Sequence, residues 1–505
     1  MPYNSLRDFI IFLEQKNQIN RVKVPVSPIL ELTEIQTRLL AESGPAVLFE
    51  NVVRPNGQRY NFPVLVNLFG TVERVAWGID RTPDKLREVG EMLAFLKQPE
   101  VPRDWRQAAK IIPLLKTVRA MTPKIVSKAH CQEKVHTGVE IDLSVLPIQS
   151  CWPGEPAPLI TWGVVVTQGP EAATHRVDAL NLGIYRLQVT GPNTTLVRWL
   201  SHRGGAQQFQ RWKKKRGSEL FPMAVVIGTD PGTLLAAVTP VPETLSEYQF
   251  AGLLRGKNVE LVNCLTVPLQ VPAQSEIVLE GYVMPEEEAM EGPYGDHTGY
   301  YNAVESFPVF RVSAVTHRHD ALYLSTFTGR PPDEPSILGE ALNEVFIPLL
   351  VQQFPEITDF WLPPEGCSYR IAVISIHKAY PGHAKQIMMG IWSFLRQFIY
   401  TKFVIIVDND INARDWKEIV WAIATRVDPV RDITLLERTP IDYLDFASPE
   451  VGLGSKLGLD ATNKWPPETH RIWGQRIHMT DSIIQMVTRK WLSYGLPGTG
   501  RPIWR

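Results

Sequence analysis

Between residues 160 and 315 one pattern recurs: a short strand-like run, then a turn. The runs are ITWGVVVT (160–167), LGIYRLQV (182–189), TLVRWL (195–200), MAVVIGT (223–229), SEIVLEGYV (275–283) and FPVFRVSAV (307–315). Gly191-Pro192-Asn193 joins two of them as a hairpin. One helix, at about 245–255, interrupts the series. Six strands with short turns predict a β-barrel or split barrel.

The flanks read differently. Leu6, Phe9, Ile10 and Leu13 share one helical face behind Asn4 or Ser5 as cap. INRVKVPV (19–26) alternates as a half-buried strand. A helix at about 29–43, strands near 46–52 and 63–68 and a helix near 84–97 complete a mixed α/β unit. Residues 100–128 are basic and proline-punctuated, as in a crossing linker. After the strand series, 334–353 reads as one long helix. Strands YRIAVISI (369–376) and FVIIVD (403–408) then alternate with helices near 383–399 and 414–426, and a last helix falls near 480–492. A chain of 505 residues suggests two to four domains. The expected division is an N-terminal α/β domain (1–125), the split barrel (126–320), a linker with the long helix (321–355) and a C-terminal α/β domain (356–505). The fold class is therefore multidomain α+β and α/β.

A net charge of −1 points to no nucleic-acid partner. The cysteines, Cys131, Cys151, Cys264 and Cys367, form no CxxC pair, which fits a reducing cytoplasm. No apolar run approaches the ~20 residues that span a bilayer, and the polar, helix-like start predicts no signal peptide.

EGPYGDHTGYY (291–301) carries an acid at each end of a turn, Glu291 and Asp296, with Tyr294 and His297. Pro293, Gly292 and Gly295 forbid a regular helix, so a turn-rich loop is expected. An acid, an imidazole and a phenol held together suit proton handling; a surface loop with capping acids is the plainer alternative. Asn181 opens a strand carrying Ile184, Tyr185 and Arg186; ideal alternation puts Tyr185 with Asn181 and Arg186 on the other face. RWLSHRGG (198–205) sets two arginines, a histidine and two glycines ahead of a helix, a plausible phosphate cradle. In PETLSEYQFAGLLRG, Thr244 and Glu247 have the spacing of a capping box, which by itself explains Glu247. Asn, His and Glu together would suit Mn²⁺ or Mg²⁺. Asp408-Asn409-Asp410 reads as a helix cap, GLGSKLG (452–458) as a loop, and WKKKR (212–216) as a solvated helix end.

NLGIYR, RWLSHRGG, PETLSEYQFAGLLRG, EGPYGDHTGYY, TGRPPDEP, GHAK and YTKFVIIVDNDINARDW together resemble the UbiD-type decarboxylases. The likeness runs from about residue 3 to about 475 and includes NSLRDFI and DYLDFASP. Within the family it is most similar to the bacterial branch acting on 3-polyprenyl-4-hydroxybenzoate in ubiquinone biosynthesis. The resemblance implies a flavin-binding split barrel holding prenylated FMN with Mn²⁺, K⁺ often alongside, and a C-terminal oligomerisation domain. It implies Asn181, His202 and Glu247 as metal ligands. Ile184, Tyr185, Arg186, Arg198, Trp199, Leu200, Arg203, Gly204 and Lys385 would line the cofactor. Arg186, Glu291 and Asp296 would be catalytic, with Asp296 standing where some branches carry Glu. The implied reaction is non-oxidative decarboxylation to 2-polyprenylphenol. The implied partners are a polyprenylated aromatic acid, a flavin prenyltransferase that supplies the cofactor, and further copies of the chain as a dimer or hexamer. The enzyme would work in the cytoplasm, in peripheral contact with the membrane's cytoplasmic face. Three competing readings stay open: a flavin oxidoreductase using ordinary FMN, a decarboxylase of another aromatic acid, and a non-catalytic oligomeric binding protein.

Overall fold

The computed structural model describes residues 3–97, 118–171, 179–200, 204–239, 241, 245–394 and 396–498. Contacts divide the chain into two units, Met1–Gln352 with Pro364–Ser368, and Gln353–Pro363 with Tyr369–Arg505.

The first unit begins with helix α1 (Leu6–Gln15), where Ser5 and Asp8 form a capping box and Leu6, Phe9, Ile10 and Leu13 are buried. Strands β1 (Ile19–Val22) and β2 (Ala46–Phe49) pair in parallel, and β3 (Val64–Val66) pairs antiparallel to β2. The run 19–26, expected as one strand, pairs as a strand only as far as Val22; Pro25, which has no N–H to donate, follows shortly. Helices α2 (Glu31–Ala41), α3 (Val72–Gly78) and α4 (Leu86–Lys97) belong to this region. Of the expected linker, 98–117 lies outside the described residues.

The central sheet is the strand series of the sequence, with altered boundaries. Its main strands are β4 (Val164–Gln168), β5 (Leu180–Ile184), β6 (Leu187–Gly191), β7 (Thr194–Val197), β8 (Phe221–Ile227), β9 (Ile277–Glu291) and β10 (Glu305–His317). The order is Leu159–Ile160, then β6, β7, β10, β9, β8, β4 and β5, with Lys134–Thr137 added on β10. The two ends of this order do not pair with each other among the described residues, so the sheet is an open half-barrel. LGIYRLQV is not one strand: it breaks at Tyr185-Arg186, between β5 and β6. The long hairpin β9–β10 pairs from Ile277↔His317 to Glu291↔Glu305, with register shifts after Glu280 and after Val283. Glu291 is thus the last residue of a strand, not part of the loop. Three helices accompany the sheet: α5 (Gly204–Arg216), expected after RWLSHRGG and ending at WKKKR, α6 (Pro231–Val238), which was not expected, and α7 (Glu247–Arg255), expected at about 245–255; all pack on β5. Strand β11 (Tyr323–Leu324) returns to pair with β3, and α8 (Glu334–Gln353) is the expected long helix.

The second unit is a five-stranded sheet in the order β12 (Ile357–Trp361), β13 (Ile371–Ile376), β14 (Phe403–Asp408), β16 (Leu453–Ala461), β15 (Ile433–Pro440). Helices α9 (His383–Phe394), α10 (Trp416–Arg426) and α11 (Asp481–Lys490) belong to it. GLGSKLG is strand, not loop. Gly458 faces α9: a Cβ there would lie 2.4 Å from Met388 Sδ, so glycine lets helix and sheet meet. Nor do Asp408 and Asp410 cap α10. Both bind Arg426, and Asp415 is the cap.

Candidate active site

Two arginines meet three acids at one end of the half-barrel. The β6–β7 hairpin turns near 191–194, so its opposite end carries Arg186, just before β6, and Arg198, just after β7. Glu291 ends β9 beside Glu305. The loop 292–304 carries Asp296 back over this end.

Arg186 is the hub. Its Nε and Nη2 donate to Glu291 Oε1 (2.8 Å) and Oε2 (3.1 Å), a bidentate pair. Nη1 donates to Asp296 Oδ2 (3.1 Å) and Nη2 also to Asn302 Oδ1 (2.7 Å). The Tyr294 ring lies 5.3 Å from the guanidinium carbon. Arg198 donates to Glu291 Oε2 (2.7 Å) and Glu305 Oε2 (3.1 Å). The Glu291 side chain is fully buried, and burying a charge is costly unless it is paired and hydrogen-bonded. Here two guanidiniums supply that pairing, which makes the cluster rigid and highly specific in geometry.

Asp296 has a second cation-capable neighbour. Its Oδ1 accepts from the His297 main-chain N–H (2.8 Å) and faces His297 Nδ1 at 2.7 Å. Burial pushes its pKa up, but the His297 hydrogen bond and charge, with Arg186, outweigh burial and hold it well below the usual carboxylate range. Asp296 is therefore ionised at rest.

The loop is fixed from outside its own motif. Asn302 Oδ1 also accepts from Tyr294 N (2.9 Å), and Tyr294 Oη donates to Ala157 O (2.9 Å). Burial, then the charges of Glu155 and Glu291, push the Tyr294 phenol above its ordinary value. Gly295 lies flat on Trp152: a Cβ there would be 2.2 Å from Cδ1. Thr328 donates to Gly295 O (3.1 Å), and Trp152 donates to Thr328 O (2.8 Å). Glu155 accepts from Cys151 N (2.7 Å) and Gly295 N (3.4 Å), and burial raises its pKa. Sequence reasoning did not single out Glu155, Trp152, Asn302 or Thr328. The only available signal for Thr328 was its place in TGRPPDEP.

A second cluster lies where β5 meets α5 and α7. Leu182 N donates to Glu247 Oε2 (3.0 Å), which joins β5 to the first residue of α7. The expected Thr244–Glu247 capping box does not account for Glu247. Ser246 is the N-cap, and its N–H donates to the side-chain Oε1 of Gln249 (3.0 Å). Thr244 itself lies outside the described residues. Burial pushes Glu247 up to about 7, and no cation pairs with it among the described residues. Asn181 Nδ2 is buried without a partner there. A Cβ on Gly204 would stand 2.3 Å from Asn181 Oδ1, so glycine keeps this space open. A half-buried carboxylate with no cation among the described residues, bonded to the residue after an unsatisfied amide, fits a hard or borderline divalent ion. His202 and Arg203 lie outside the described residues.

Between the clusters, Gly205 N donates to Tyr185 Oη (3.1 Å), and the buried Trp199 Nε1 has no partner among the described residues. A Cβ on Gly183 would lie 2.6 Å from the Tyr185 ring, and one on Gly205 2.9 Å from Trp199 Nε1. The thirteen-residue α5 starts at Gly204, so glycines and a helix N-terminus coincide, as in anion cradles. These features fit a phosphate-bearing cofactor. Ile184 ends β5 and Leu200 follows β7, both half-buried. Arg198 commits its side chain to acids instead. Lys385 sits in the first turn of α9, in the second unit.

Three profiles of one family match the chain: the 3-octaprenyl-4-hydroxybenzoate carboxy-lyase N-terminal domain over residues 10–93, the Rift-related domain over 124–331 and the C-terminal domain over 336–461. Among solved structures, the UbiD-class enzyme HmfF from Pelotomaculum thermopropionicum, in complex with FMN, is 30% identical with a TM-score of 0.78. The match covers 94% of this chain and 97% of HmfF. An evolved dimeric form of HmfF, in complex with prFMN, is 29% identical with a TM-score of 0.75, over 94% and 97% of the two chains. The vanillic acid decarboxylase of Sedimentibacter hydroxybenzoicus is 26% identical with a TM-score of 0.79, over 98% of each chain. The chain belongs to the UbiD family and is a decarboxylase, a carboxy-lyase.

Proposed function

We propose that the chain decarboxylates an aromatic acid with prenylated FMN and Mn²⁺, the substrate being 3-polyprenyl-4-hydroxybenzoate and the product 2-polyprenylphenol. The observation that carries the chemistry is Arg186 shared between Glu291 and Asp296. Among the described residues, four of the five guanidinium hydrogens are used, which leaves one on Nη1 for a substrate carboxylate. The tail is supported by the family description and by the resemblance within it, and a substrate so apolar would be met at a membrane surface. Among the described residues no helix is long and apolar enough to cross a membrane.

Loss of CO₂ from an aromatic ring leaves an electron pair in the ring plane, and side chains are poor sinks for it. Bound prenylated FMN supplies the electrophilic centre that accepts that charge. In this reading Asn181, His202 and Glu247 hold the Mn²⁺ at the cofactor phosphate, with K⁺ alongside. Ile184, Tyr185, Arg186, the 198–200 segment, Arg203, Gly204 and Lys385 contact the cofactor. Arg186 orients the carboxylate, Glu291 fixes Arg186, and the loop carrying Asp296 brings the proton to the carbon that CO₂ leaves.

Protein isolated from cells able to prenylate flavin tests this. A bound species with the absorbance and mass of prenylated FMN, together with CO₂ release from the prenylated hydroxybenzoate, is expected. Ordinary FMN with redox turnover of a nicotinamide donor would replace the reading by an oxidoreductase. Equal rates on vanillate or unprenylated 4-hydroxybenzoate would remove the tail from it.

A further inference from the structure

Decarboxylation consumes one proton per turnover: RCOO⁻ + H⁺ → RH + CO₂. Asp296 reaches toward the hub, but its carboxylate is ionised at rest, bonded to Arg186 on Oδ2 and to His297 on Oδ1. It has no proton of its own to give. Glu291 is fully buried between two guanidiniums. Beside Asp296 stands an imidazole whose Nδ1 is 2.7 Å from Oδ1 and whose side chain is 20% exposed. It is more open than Asp296 (13%), Arg186 (12%) or Glu291 (0%). His297 therefore spans solvent and the buried hub.

We infer that His297 and Asp296 act as one proton-carrying pair, with His297 holding the proton that Asp296 delivers to carbon. This rests on the proposed decarboxylation. The C–CO₂ bond breaks and its electron pair stays with the substrate. A proton leaves the imidazolium at Nδ1, passes to Asp296 Oδ1, and forms the new C–H bond. The neutral imidazole left behind keeps its Nε2 proton and regains one at Nδ1 from the solvent proton pool, which restores the imidazolium. Among the described residues, the charged groups around His297 include Asp296 and, through it, Arg186, with Asp333 just before α8. No oxidant or further reactant is required.

The test uses the loaded enzyme and His297→Asn. Asparagine keeps an N–H donor near Oδ1 but cannot carry the extra proton. Wild-type kcat is expected to fall as pH rises through the titration of the imidazolium. His297→Asn should lose about 10²-fold in kcat with little change in KM, and lose that basic limb. A second readout needs no turnover: the His297 titration, followed by NMR of imidazole-labelled protein, should move to lower pH in Asp296→Asn. Loss of rate in His297→Asn with the wild-type pH profile retained would overturn the inference and leave His297 a loop brace. So would a His297 titration unaffected by Asp296→Asn. A wild-type holoenzyme that releases no CO₂ at any pH, while the NMR shift is seen, would locate the failure in the proposed reaction and overturn delivery to carbon.

Discussion

At the scale of single residues, the site was legible wherever chemistry travelled with a motif. Arg186, Glu291 and Asp296 are separated by up to 110 positions, yet their side chains join in one cluster. What could not be read was which state each acid takes. Burial and a guanidinium pull Asp296 in opposite directions, and only the geometry adds His297 to the lowering side. Asp296→Asn should leave cofactor bound while turnover falls by roughly 10²–10⁴-fold; unchanged turnover at matched loading would contradict it. The same variant has a stability signature. A carboxylate held below its unfolded value stabilises the fold above about pH 4, and that contribution is lost as pH falls through the folded value. Wild type should therefore outlast Asp296→Asn in urea at pH 7, with the gap closing toward pH 3. Arg186→Ala should fail differently, by leaving Glu291 buried with a single arginine, and should loosen the loaded cofactor as well. For the metal, Glu247→Gln keeps the Leu182 contact but removes the charge. Mn²⁺ and flavin content, measured by elemental analysis and absorbance, should fall together; full Mn²⁺ occupancy would return Glu247 to a structural role.

At the scale of elements, helices with a clear apolar face were placed well; strands were placed less well, since β9 runs on to Glu291, 182–189 is two strands, and β12, β15 and β16 were not expected as strands. The failures share a cause: tertiary contacts overrode a local pattern. Glu291 belongs to β9 because Glu305 pairs with it across the hairpin. Leu453–Ala461 is a strand because it pairs with β14 and β15 and its Gly458 leaves room for α9, although the glycines alone resemble a loop. The 182–189 run breaks at Tyr185-Arg186, which frees Arg186 from strand alternation to join the hub. Glu155 and Trp152 belong to no recognised motif, and their importance comes from what folds against them. The start of α5 offers a test of such a contact. Gly204→Ala should favour the helix by intrinsic propensity, by up to about 1 kcal/mol. Its Cβ would nevertheless press on Asn181 Oδ1 at 2.3 Å. The expected variant has normal circular dichroism and thermal stability but reduced Mn²⁺ retention. Normal retention would show that Asn181 can move aside and is not held for a ligand.

At the scale of the whole molecule, the second unit ends in a segment with an unusual surface. Ile472, Ile477 and Leu492 are more than 90% exposed, and Met479, Ile483, Tyr494 and Leu496 are partly so. Scattered apolar residues on a surface need no explanation. Seven within 25 positions are a different matter, because such contiguity commonly marks an interface. Helix α11 adds Ile484 and Val487, half-buried on the same helix as Ile483. The resemblance to the family independently implies self-association through this half, as a dimer or hexamer, and one HmfF form is described as dimeric. We therefore expect a dimer or larger species by light scattering at micromolar concentration. Charges placed at Ile472, Ile477 and Leu492 together should lower the mass without unfolding either unit, since these side chains contribute almost nothing to a core. A wild-type monomer would contradict the expectation. An unchanged mass for the triple variant would move the interface elsewhere on the second unit and leave the exposed segment to another partner.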